Sequence, residues 1–528
     1  NAAARLVNPQ VRQENGELIA CSWADALETA AAQTKGAVSA QGASSVAGIC
    51  SPRMTNEDIQ VFVNFMKNAV GSAKIGSEAD LGYKQAQAIQ LAMLGTTGAT
   101  KQMDALEQMG SILVLGSDLK AESAGFGYRV IKATTKHDAK LVVLSARPTS
   151  LDKFAQIALR YTAGSEGFVA LGLMKALLAG ASTLDADGVA VCRGMVEGVS
   201  FDQIQAATGI SEASYLECTG LLGASNALMY GYEFIRSADA AAAVTNAMNL
   251  ALLLQADVFP IEEKNNMQGL LDQLTDVSSA DLLAIIEGIE LGSITCLYVA
   301  GADLFSLVPQ SQRLEAALAK LQSLIVLDAF PTATVAAATV VLPVALGPEK
   351  SGSYTTVDNR KQTFVAAAKA PGQARTDVAI INDLYEALTA EAGLTWGAAQ
   401  DLVCTRITNG VHHYQSCMPQ ATAHGSMTCL VAPIIHHNGT MTSWSENNCL
   451  VVSQTTVALN GGDAQKLGVS SGDSVQIAAN GATVKAIVSL DAETPAGLAV
   501  LPNTFATSAI SSLMSKPAAS FTVTITKG

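Results

Sequence analysis

The sequence has few charged and few aromatic side chains. Charged residues make up 15% and aromatic residues 5% of its 528 residues, whereas 49% are hydrophobic. Disordered chains have the opposite balance, because they cannot bury enough apolar surface to offset the entropy lost on folding. At roughly 150 residues per domain, the length predicts about three or four folded domains.

Positive charge is also scarce. Lys and Arg number 32 against 46 Asp and Glu, which gives a formal net charge of −14. Binding to a phosphate backbone needs a concentrated positive surface, so we expect no nucleic-acid partner. No apolar run reaches the roughly 18 to 20 uncharged residues of a membrane helix. No signal peptide opens the sequence, and we expect no direct membrane span.

Short cysteine spacings are absent. The nine cysteines are Cys21, Cys50, Cys192, Cys218, Cys296, Cys404, Cys417, Cys429 and Cys449. Iron–sulphur and zinc sites need clustered thiolates such as C-x-x-C, so the sequence predicts no such cluster within this chain. An odd number of scattered cysteines is typical of reduced thiols in the cytoplasm, which is the expected location.

Most of the histidines lie in one stretch, which is the most obvious candidate for a metal site. It contains His412, His413, Cys417, His424, Cys429, His436 and His437. These spacings fit no common zinc pattern. We therefore interpret the stretch as a surface loop with a few packed His and Cys side chains. No phosphate-loop or dinucleotide motif occurs, and no G-x-S-x-G stands at a strand-to-helix turn.

Short apolar runs alternate with helical patterns, which is typical of parallel βαβ units. One unit has strands at 111–116 and 140–144 around a helix at 121–135. A second has strands at 296–300 and 324–327 around a helix at 310–321, with a further strand at 339–343. The Ala- and Leu-rich stretch 164–254 predicts a helical layer. Ligands of open α/β sheets bind where strands end, so the loops after these strands are candidate sites.

Alternating residues with Gly-Asp and Asn-Gly turns predict a β-barrel near the C-terminus. We predict five segments: the first part of an α/β domain A (1–105), a Rossmann-like α/β domain B with its helical layer (106–285), the second part of domain A (286–400), a linker with the His/Cys-rich loop (401–445), and the barrel (446–528).

Longer strings follow one another along nearly the whole chain: RLVNPQVR (5–12), SWADAL (22–27), LGSD (115–118), AGSE (163–166), KNNMQG (264–269), EKSGSY (349–354), HNGTMT (437–442) and LGVSSGD (467–473). In this order they resemble the molybdopterin oxidoreductase superfamily. Within it they are similar to the large iron–sulphur subunit of NADH-quinone oxidoreductase, or complex I, and to NAD-linked formate dehydrogenase alpha subunits. The resemblance implies a formate-dehydrogenase-like multi-domain body with two parallel-sheet α/β domains and a C-terminal β-barrel resembling a molybdopterin-dinucleotide-binding domain.

The resemblance also implies where a metal would bind. Active family members hold molybdenum or tungsten through Cys, selenocysteine, Ser or Asp. The matching stretch here, 75–83, contains neither Cys nor His, and Asp80 is its hard-ligand candidate. We therefore expect no metal, with Asp80 as ligand only if the chain is catalytic.

A vestigial pterin groove is implied in the same way. Its residues would be Gly116, Ser117, Asp118, Arg147, Glu166, Asn265, Asn266, Gln268, Gly439 and Thr440. Relatives carry G-x-N-P and D-P-R-R-T after the two strands of domain B, where this chain has GSDL (116–119) and SARPT (145–149).

Two further departures concern charge. The Asp of the family's P-G-T-D string, which resembles a guanine-recognising group, is Glu166 here; its extra methylene displaces the carboxylate by about 1.5 Å. Glu262 and Glu263 precede Lys264 where relatives have Arg-Gly-Gln, and two carboxylates would repel a pyrophosphate.

These departures favour a non-catalytic subunit of an NADH-oxidising complex that resembles the large iron–sulphur subunit of complex I. We expect no cofactor in this chain, with iron–sulphur clusters in an N-terminal part outside it or in partner subunits. The expected partners are flavin- and iron–sulphur-bearing subunits, and the complex would be cytoplasmic and peripheral to the inner membrane.

Two alternatives remain. One is a catalytic formate dehydrogenase-like enzyme with a molybdenum or tungsten bis-pterin centre, with molybdopterin guanine dinucleotide as cofactor. In this alternative Asp80 or no protein group is the metal ligand, and His436 or His437 transfers protons. The other is a regulatory subunit that binds one nucleotide in the vestigial pterin groove.

Overall fold

The computed structural model describes residues 4–528 with gaps at 181–188, 275–279, 391–412, 421–424, 426, 436–440 and 504–509. Its strands are β1 (Gln10–Arg12), β2 (Leu18–Ala20), β3 (Val46–Cys50), β4 (Ile75–Ser77), β5 (Ser111–Leu115), β6 (Lys140–Ser145), β7 (Ile157–Arg160), β8 (Asn226–Tyr230), β9 (Asp257–Pro260), β10 (Cys296–Ala300), β11 (Ser323–Asp328), β12 (Val340–Pro343), β13 (Gly352–Thr355), β14 (Lys361–Phe364), β15 (Thr428–Ala432), β16 (Thr456–Leu459), β17 (Ser474–Ala479), β18 (Ala482–Leu490), β19 (Leu498–Pro502), β20 (Ser520–Thr522) and β21 (Thr524–Lys527).

The α-helices are α1 (Trp23–Gln41), α2 (Asn56–Asn64), α3 (Tyr83–Leu94), α4 (Leu119–Glu122), α5 (Ala124–Lys136), α6 (Glu166–Gly180), α7 (Val189–Glu197), α8 (Phe201–Thr208), α9 (Glu212–Leu221), α10 (Tyr232–Ile235), α11 (Ala240–Leu254), α12 (Met267–Leu274), α13 (Leu282–Glu290), α14 (Leu304–Leu307), α15 (Ser311–Leu318), α16 (Ala333–Ala337), α17 (Asp377–Thr389), α18 (Glu446–Val451) and α19 (Gly461–Leu467). No helix in the described ranges has the length and apolar character needed to cross a membrane.

Sheet A has seven strands in the order β2-β1-β12-β11-β10-β3-β4. The five strands from β12 to β4 run parallel. Strand β3 pairs with β10 over its whole length, although the strands of sheet B lie between them in the chain. Every residue of β3, β10 and β11 is buried, as expected for a parallel sheet covered on both faces. Sheet A is therefore built from two distant segments of the chain.

Sheet B has five parallel strands in the order β7-β6-β5-β8-β9. Strands β5 and β6 confirm the predictions at 111–116 and 140–144. Strand β8, however, lies inside the stretch 164–254 that we predicted to be a helical layer, so that prediction is wrong for residues 226–230. A buried run of five residues cannot be assigned by periodicity alone, and its pairing with β5 decides the outcome.

The C-terminal sheet has the order β20-β15-β19-β16-β18-β17-β21. Its two edge strands, β20 and β21, are separated in the chain by Val523 alone. One residue can span only a few ångströms, so the sheet must curl until its edges approach each other. The predicted barrel is thus a curled sheet. Strand β15 contains Cys429 and lies within the range 401–445 predicted as linker, because its partner strands come later in the chain.

An ion triad ties domain A together. The Nζ atom of Lys350 lies 2.6 Å from Oδ2 of Asp58 and 2.6 Å from Oδ2 of Asp377. All three side chains are at most 6% exposed. Asp58 also completes the capping box of α2 with Thr55. The triad therefore joins the first turns of α2 and α17 to the segment before β13.

We expect Lys350→Met to destabilise domain A by about 3–5 kcal/mol, because two buried carboxylates would lose their shared cation. The matched control is Lys466→Met, which removes a Lys that is 76% exposed beside Asp463; this pair contributes under about 1 kcal/mol. Urea unfolding followed by far-ultraviolet circular dichroism measures both. Equal losses in the two variants would contradict the assignment.

Candidate functional site

Four of the predicted groove residues meet at the carboxyl edge of sheet B. The loop after β5 carries Gly116, Ser117 and Asp118, and the loop after β6 carries Arg147. Asp118 Oδ2 lies 3.5 Å from the Arg147 guanidinium. Ser150 donates its backbone N–H (3.2 Å) and its hydroxyl (2.5 Å) to Asp118 Oδ1. Adjacent parallel strands thus bring these loops together, as the sequence predicted.

Glu122 satisfies the backbone of the same edge from inside α4. It is 6% exposed and accepts the N–H of Asp118 (2.8 Å), the hydroxyl of Ser117 (2.8 Å) and the N–H of Tyr232 (3.0 Å). Burial raises the pKa of Glu122 to about 8. This carboxylate holds the loop after β5 to the loop after β8.

Glu233 lies in α10, the short helix after β8, and was missed by the sequence analysis. Its carboxylate accepts the hydroxyl of Ser145 (2.8 Å), the N–H of Ala146 (2.8 Å) and the hydroxyl of Tyr161 (2.5 Å). A signal for it existed, since a Glu directly follows Gly231 and Tyr232 at the end of an apolar run. Its partners, however, are 72 to 88 residues away in the chain.

Glu166, predicted to face the guanine end of the groove, is turned inward. It is 2% exposed and accepts the N–H of Gly164 (2.8 Å) and the hydroxyl of Ser237 (2.6 Å). Burial is the largest cause that raises the pKa of Glu166, to about 7. Both carboxylate oxygens are engaged within the protein.

Acidic side chains outnumber basic ones around these loops. The acidic residues are Asp118, Glu122, Glu166 and Glu233, and Arg147 pairs with Asp118. Each of these carboxyl groups already accepts hydrogen bonds from backbone N–H or hydroxyl groups of the edge. The donors that a pyrophosphate would use are therefore occupied, and the residues present do not fit a dinucleotide at the edge of sheet B.

The predicted residues Asn265, Asn266 and Gln268 lie elsewhere, beside sheet A. Asn266 donates its side-chain amide to Met54 O (2.9 Å) and accepts the N–H of Thr355 (2.7 Å). Gln268 donates to Asp272 (2.6 Å). Asn265 lines a cavity of about 240 Å³ where β10, β11 and β12 end. The predicted groove is thus divided between the two sheets. Gly439 and Thr440 lie outside the described residues.

Asp80, the candidate metal ligand, is committed to the backbone. Its Oδ2 accepts the N–H of Ser77 (2.8 Å) and of Leu282 (3.0 Å), and its Oδ1 lies 3.6 Å from Nζ of Lys84. Burial raises the pKa of Asp80. The carboxylate caps the turn that follows β4 and joins it to the start of α13.

A cavity of about 90 Å³ lies where the carboxyl ends of all three sheets meet. Its charged lining residues are Arg53, Glu78, Arg236, Glu263, Lys264 and Asp303. Glu263 accepts the hydroxyl of Tyr83 (3.0 Å), and Lys264 lies 3.9 Å from Glu78. This cavity adjoins the one beside sheet A, since Arg53 and Gly301 line both.

The His/Cys-rich stretch is described in part. His412, His424, His436 and His437 lie outside the described residues, so the proton-transfer role of His436 or His437 stays a prediction. Cys429 packs in the core of the curled sheet. Within the described ranges, no group of three His, Cys, Asp or Glu side chains could hold a metal ion.

The fold and the edge loops define a multi-domain α/β protein whose parallel sheets end in loops of the ligand-binding type. The family model "Molybdopterin oxidoreductase" matches residues 5–387, and "Molydopterin dinucleotide binding domain" matches residues 434–526. The chain belongs to the molybdopterin oxidoreductase family, which confirms the predicted resemblance.

Its relatives are subunits of several oxidoreductases. The chain is 33% identical to the NADPH-Fe(3+) oxidoreductase subunit alpha of Geobacter sulfurreducens, over 100% of this chain and 68% of the relative. It is 25% identical to a G-type subunit of the NADH-quinone oxidoreductase of Rhizobium meliloti (97% and 65%). It is 23% identical to the F420-dependent formate dehydrogenase 1 subunit alpha of Methanococcus maripaludis (97% and 88%).

A solved structure shares the fold. Acetylene hydratase from Pelobacter acetylenicus matches with a TM-score of 0.79 over 94% of this chain and 85% of that chain, at 14% sequence identity. The predicted α/β class with two parallel sheets is therefore confirmed.

The raised pKa of Glu166 makes stability depend on pH. The folded protein holds this proton up to about pH 7, whereas the unfolded chain releases it near 4.5, so stability falls as pH rises through that window. Between about pH 5 and pH 8, the free energy of unfolding should fall less in Glu166→Gln than in the parent protein. We expect the difference to reach up to about 3 kcal/mol. The exposed control Glu315→Gln should follow the parent protein. Parallel pH profiles for all three proteins would contradict a neutral, buried Glu166.

Proposed function

We propose that this chain is a structural subunit of an NADH- or NADPH-oxidising electron-transfer complex and that it holds no molybdenum or tungsten. It resembles the large iron–sulphur subunit of complex I in this role. Electrons would pass through iron–sulphur clusters elsewhere in the assembly, and this body would pack against and shield the subunits that carry them.

The state of Asp80 carries the proposal. The resemblance to active members places a metal ligand in the stretch 75–83, where Asp80 is the hard-ligand candidate. Its Oδ2 accepts two backbone N–H groups and its Oδ1 faces Lys84. A metal bound through Oδ2 would have to displace both N–H groups, which costs about 1 kcal/mol or more before any ligand bond forms. A metal bound through Oδ1, which accepts no hydrogen bond from the described residues, would have to displace the Lys84 ammonium.

The relatives support the electron-transfer part. Two of them are subunits of NADPH-Fe(3+) and NADH-quinone oxidoreductases. The resemblance to complex I implies partners that bear flavin and iron–sulphur clusters. Charged side chains are depleted at the centres of protein interfaces, and this chain has 15% charged residues.

Purification of the native complex through a tag on this chain tests the proposal. We expect flavin- and iron–sulphur-bearing subunits in native mass spectrometry, and molybdenum and tungsten far below one atom per chain in elemental analysis. Recovery of the chain alone would reject the scaffold role. Stoichiometric molybdenum or tungsten would reject the metal-free role and favour the formate dehydrogenase-like alternative.

Substitution at Asp80 separates a cap from a ligand. We expect Asp80→Asn to keep one acceptor oxygen for the backbone and to leave the NAD(P)H-oxidising rate of the complex unchanged. Asp80→Ala removes both acceptors and should lower stability by about 1 kcal/mol. Loss of bound metal in Asp80→Asn, with unchanged thermal stability, would identify Asp80 as a ligand instead.

A further inference from the structure

The crevice between β5 and β8 is the place where sheet B would bind a ligand. The chain leaves β5 toward β6 on one side, whereas β8 lies on the other side of β5. At such a switch point the loops diverge, and their backbone N–H groups commonly bind the phosphates of a nucleotide.

Glu233 spans this crevice. It lies in α10, which follows β8, and its carboxylate accepts hydrogen bonds from Ser145 at the end of β6 and from Ala146 directly after it. The strand order places β5 between β6 and β8, so the side chain crosses the carboxyl end of β5. Glu233 is 2% exposed, so the bridge is shielded from solvent.

Gly116 shows how closely the crevice is packed. Gly116 has φ +58°, and a Cβ built on it would lie 2.8 Å from Cβ of Glu233 and 3.0 Å from the hydroxyl oxygen of Tyr161. Tyr161, which follows β7, donates that hydroxyl to Glu233. The side chains of Tyr161, which follows β7, and Glu233, which follows β8, therefore fill the crevice together.

We propose that Glu233 is an internal anion that occupies the nucleotide crevice of sheet B. Its carboxylate takes the N–H of Ala146 and the hydroxyl groups of Ser145 and Tyr161, which are donors that a nucleoside diphosphate would use. The proposal rests on the proposed function in one respect, because both require that no pterin dinucleotide is bound at this edge.

Removal of Glu233 would leave a site suited to an anion. Three donors would lose their acceptor, and the edge would lose one negative charge. Arg147 lies at the same edge, and its side chain is only 12% exposed. Its Nε is buried without a hydrogen-bond partner in the described part of the chain. This guanidinium can therefore donate to a phosphate without giving up its bond to Pro433 O.

Calorimetric titration of the full chain with GDP, and with ADP as a second probe, tests the proposal. We expect no saturable binding to the parent protein and saturable binding to Glu233→Ala, a gain of at least about tenfold in affinity. Glu233→Gln keeps a side chain of nearly the same size in the crevice, so we expect no saturable binding of GDP or ADP to this variant. Addition of Arg147→Met to Glu233→Ala should abolish the new binding, which places it at this edge rather than in the cavity beside sheet A.

Three results would overturn the proposal. The first is binding of GDP to the parent protein that Arg147→Met abolishes, since the crevice would then be open. The second is a folded Glu233→Ala variant that binds neither nucleotide, which would make Glu233 a structural residue. If that variant does not fold, the denatured parent protein is assayed for released nucleotide. The third contrary result is one nucleotide per chain in that assay, whereas the absence of released nucleotide supports the proposal. Subunit composition of the complex is unaffected by these outcomes, so a failure here is distinguishable from a failure of the scaffold role.

Discussion

The parallel pairing of β3 with β10 is the constraint on which the rest of the structure depends. It joins two segments of the chain that flank all of sheet B, from Val46–Cys296 to Cys50–Ala300. With this pairing in place, sheet B is an insertion between two strands of sheet A. The carboxyl ends of both sheets then line one cavity, together with residues of the curled sheet. The ion triad of Lys350 reinforces the same junction by holding α2 to α17.

Parallel strands that end together leave several backbone N–H groups without partners, and buried N–H groups must find acceptors. In many α/β proteins a bound anion supplies them. At the edge of sheet B the acceptors are side chains of the protein: Glu122 serves Asp118 and Tyr232, and Glu233 serves Ala146. The same physical requirement thus links the fold to the proposed loss of the cofactor. A chain that satisfies its own edge needs no ligand to supply these acceptors, which agrees with the proposed scaffold role.

Much of the fold could be predicted from the sequence, because β5, β6 and β10 are short, apolar and bounded by turns. Strands β8 and β15 were missed, because each is an isolated apolar run whose partners lie far away in the chain. The loops around Gly116 and Arg147 meet because neighbouring parallel strands end at one edge, and strand runs of this kind can be found in the sequence. The inward turn of Glu166 and the bridging role of Glu233 could not be predicted, because each depends on hydroxyl and amide donors that only the packed loops bring within reach.

The sequence by itself determined the class of fold, the family and the change in the residues that relatives use for pterin and metal. It did so because these features are written in local patterns and ordered strings. The tertiary structure alone decided what particular residues do: Asp80 caps a turn, Asn265 and Asn266 lie beside sheet A, and Glu233 bridges the loops of sheet B. Those roles depend on distances of a few ångströms between segments remote in the chain, and no local pattern specifies such distances.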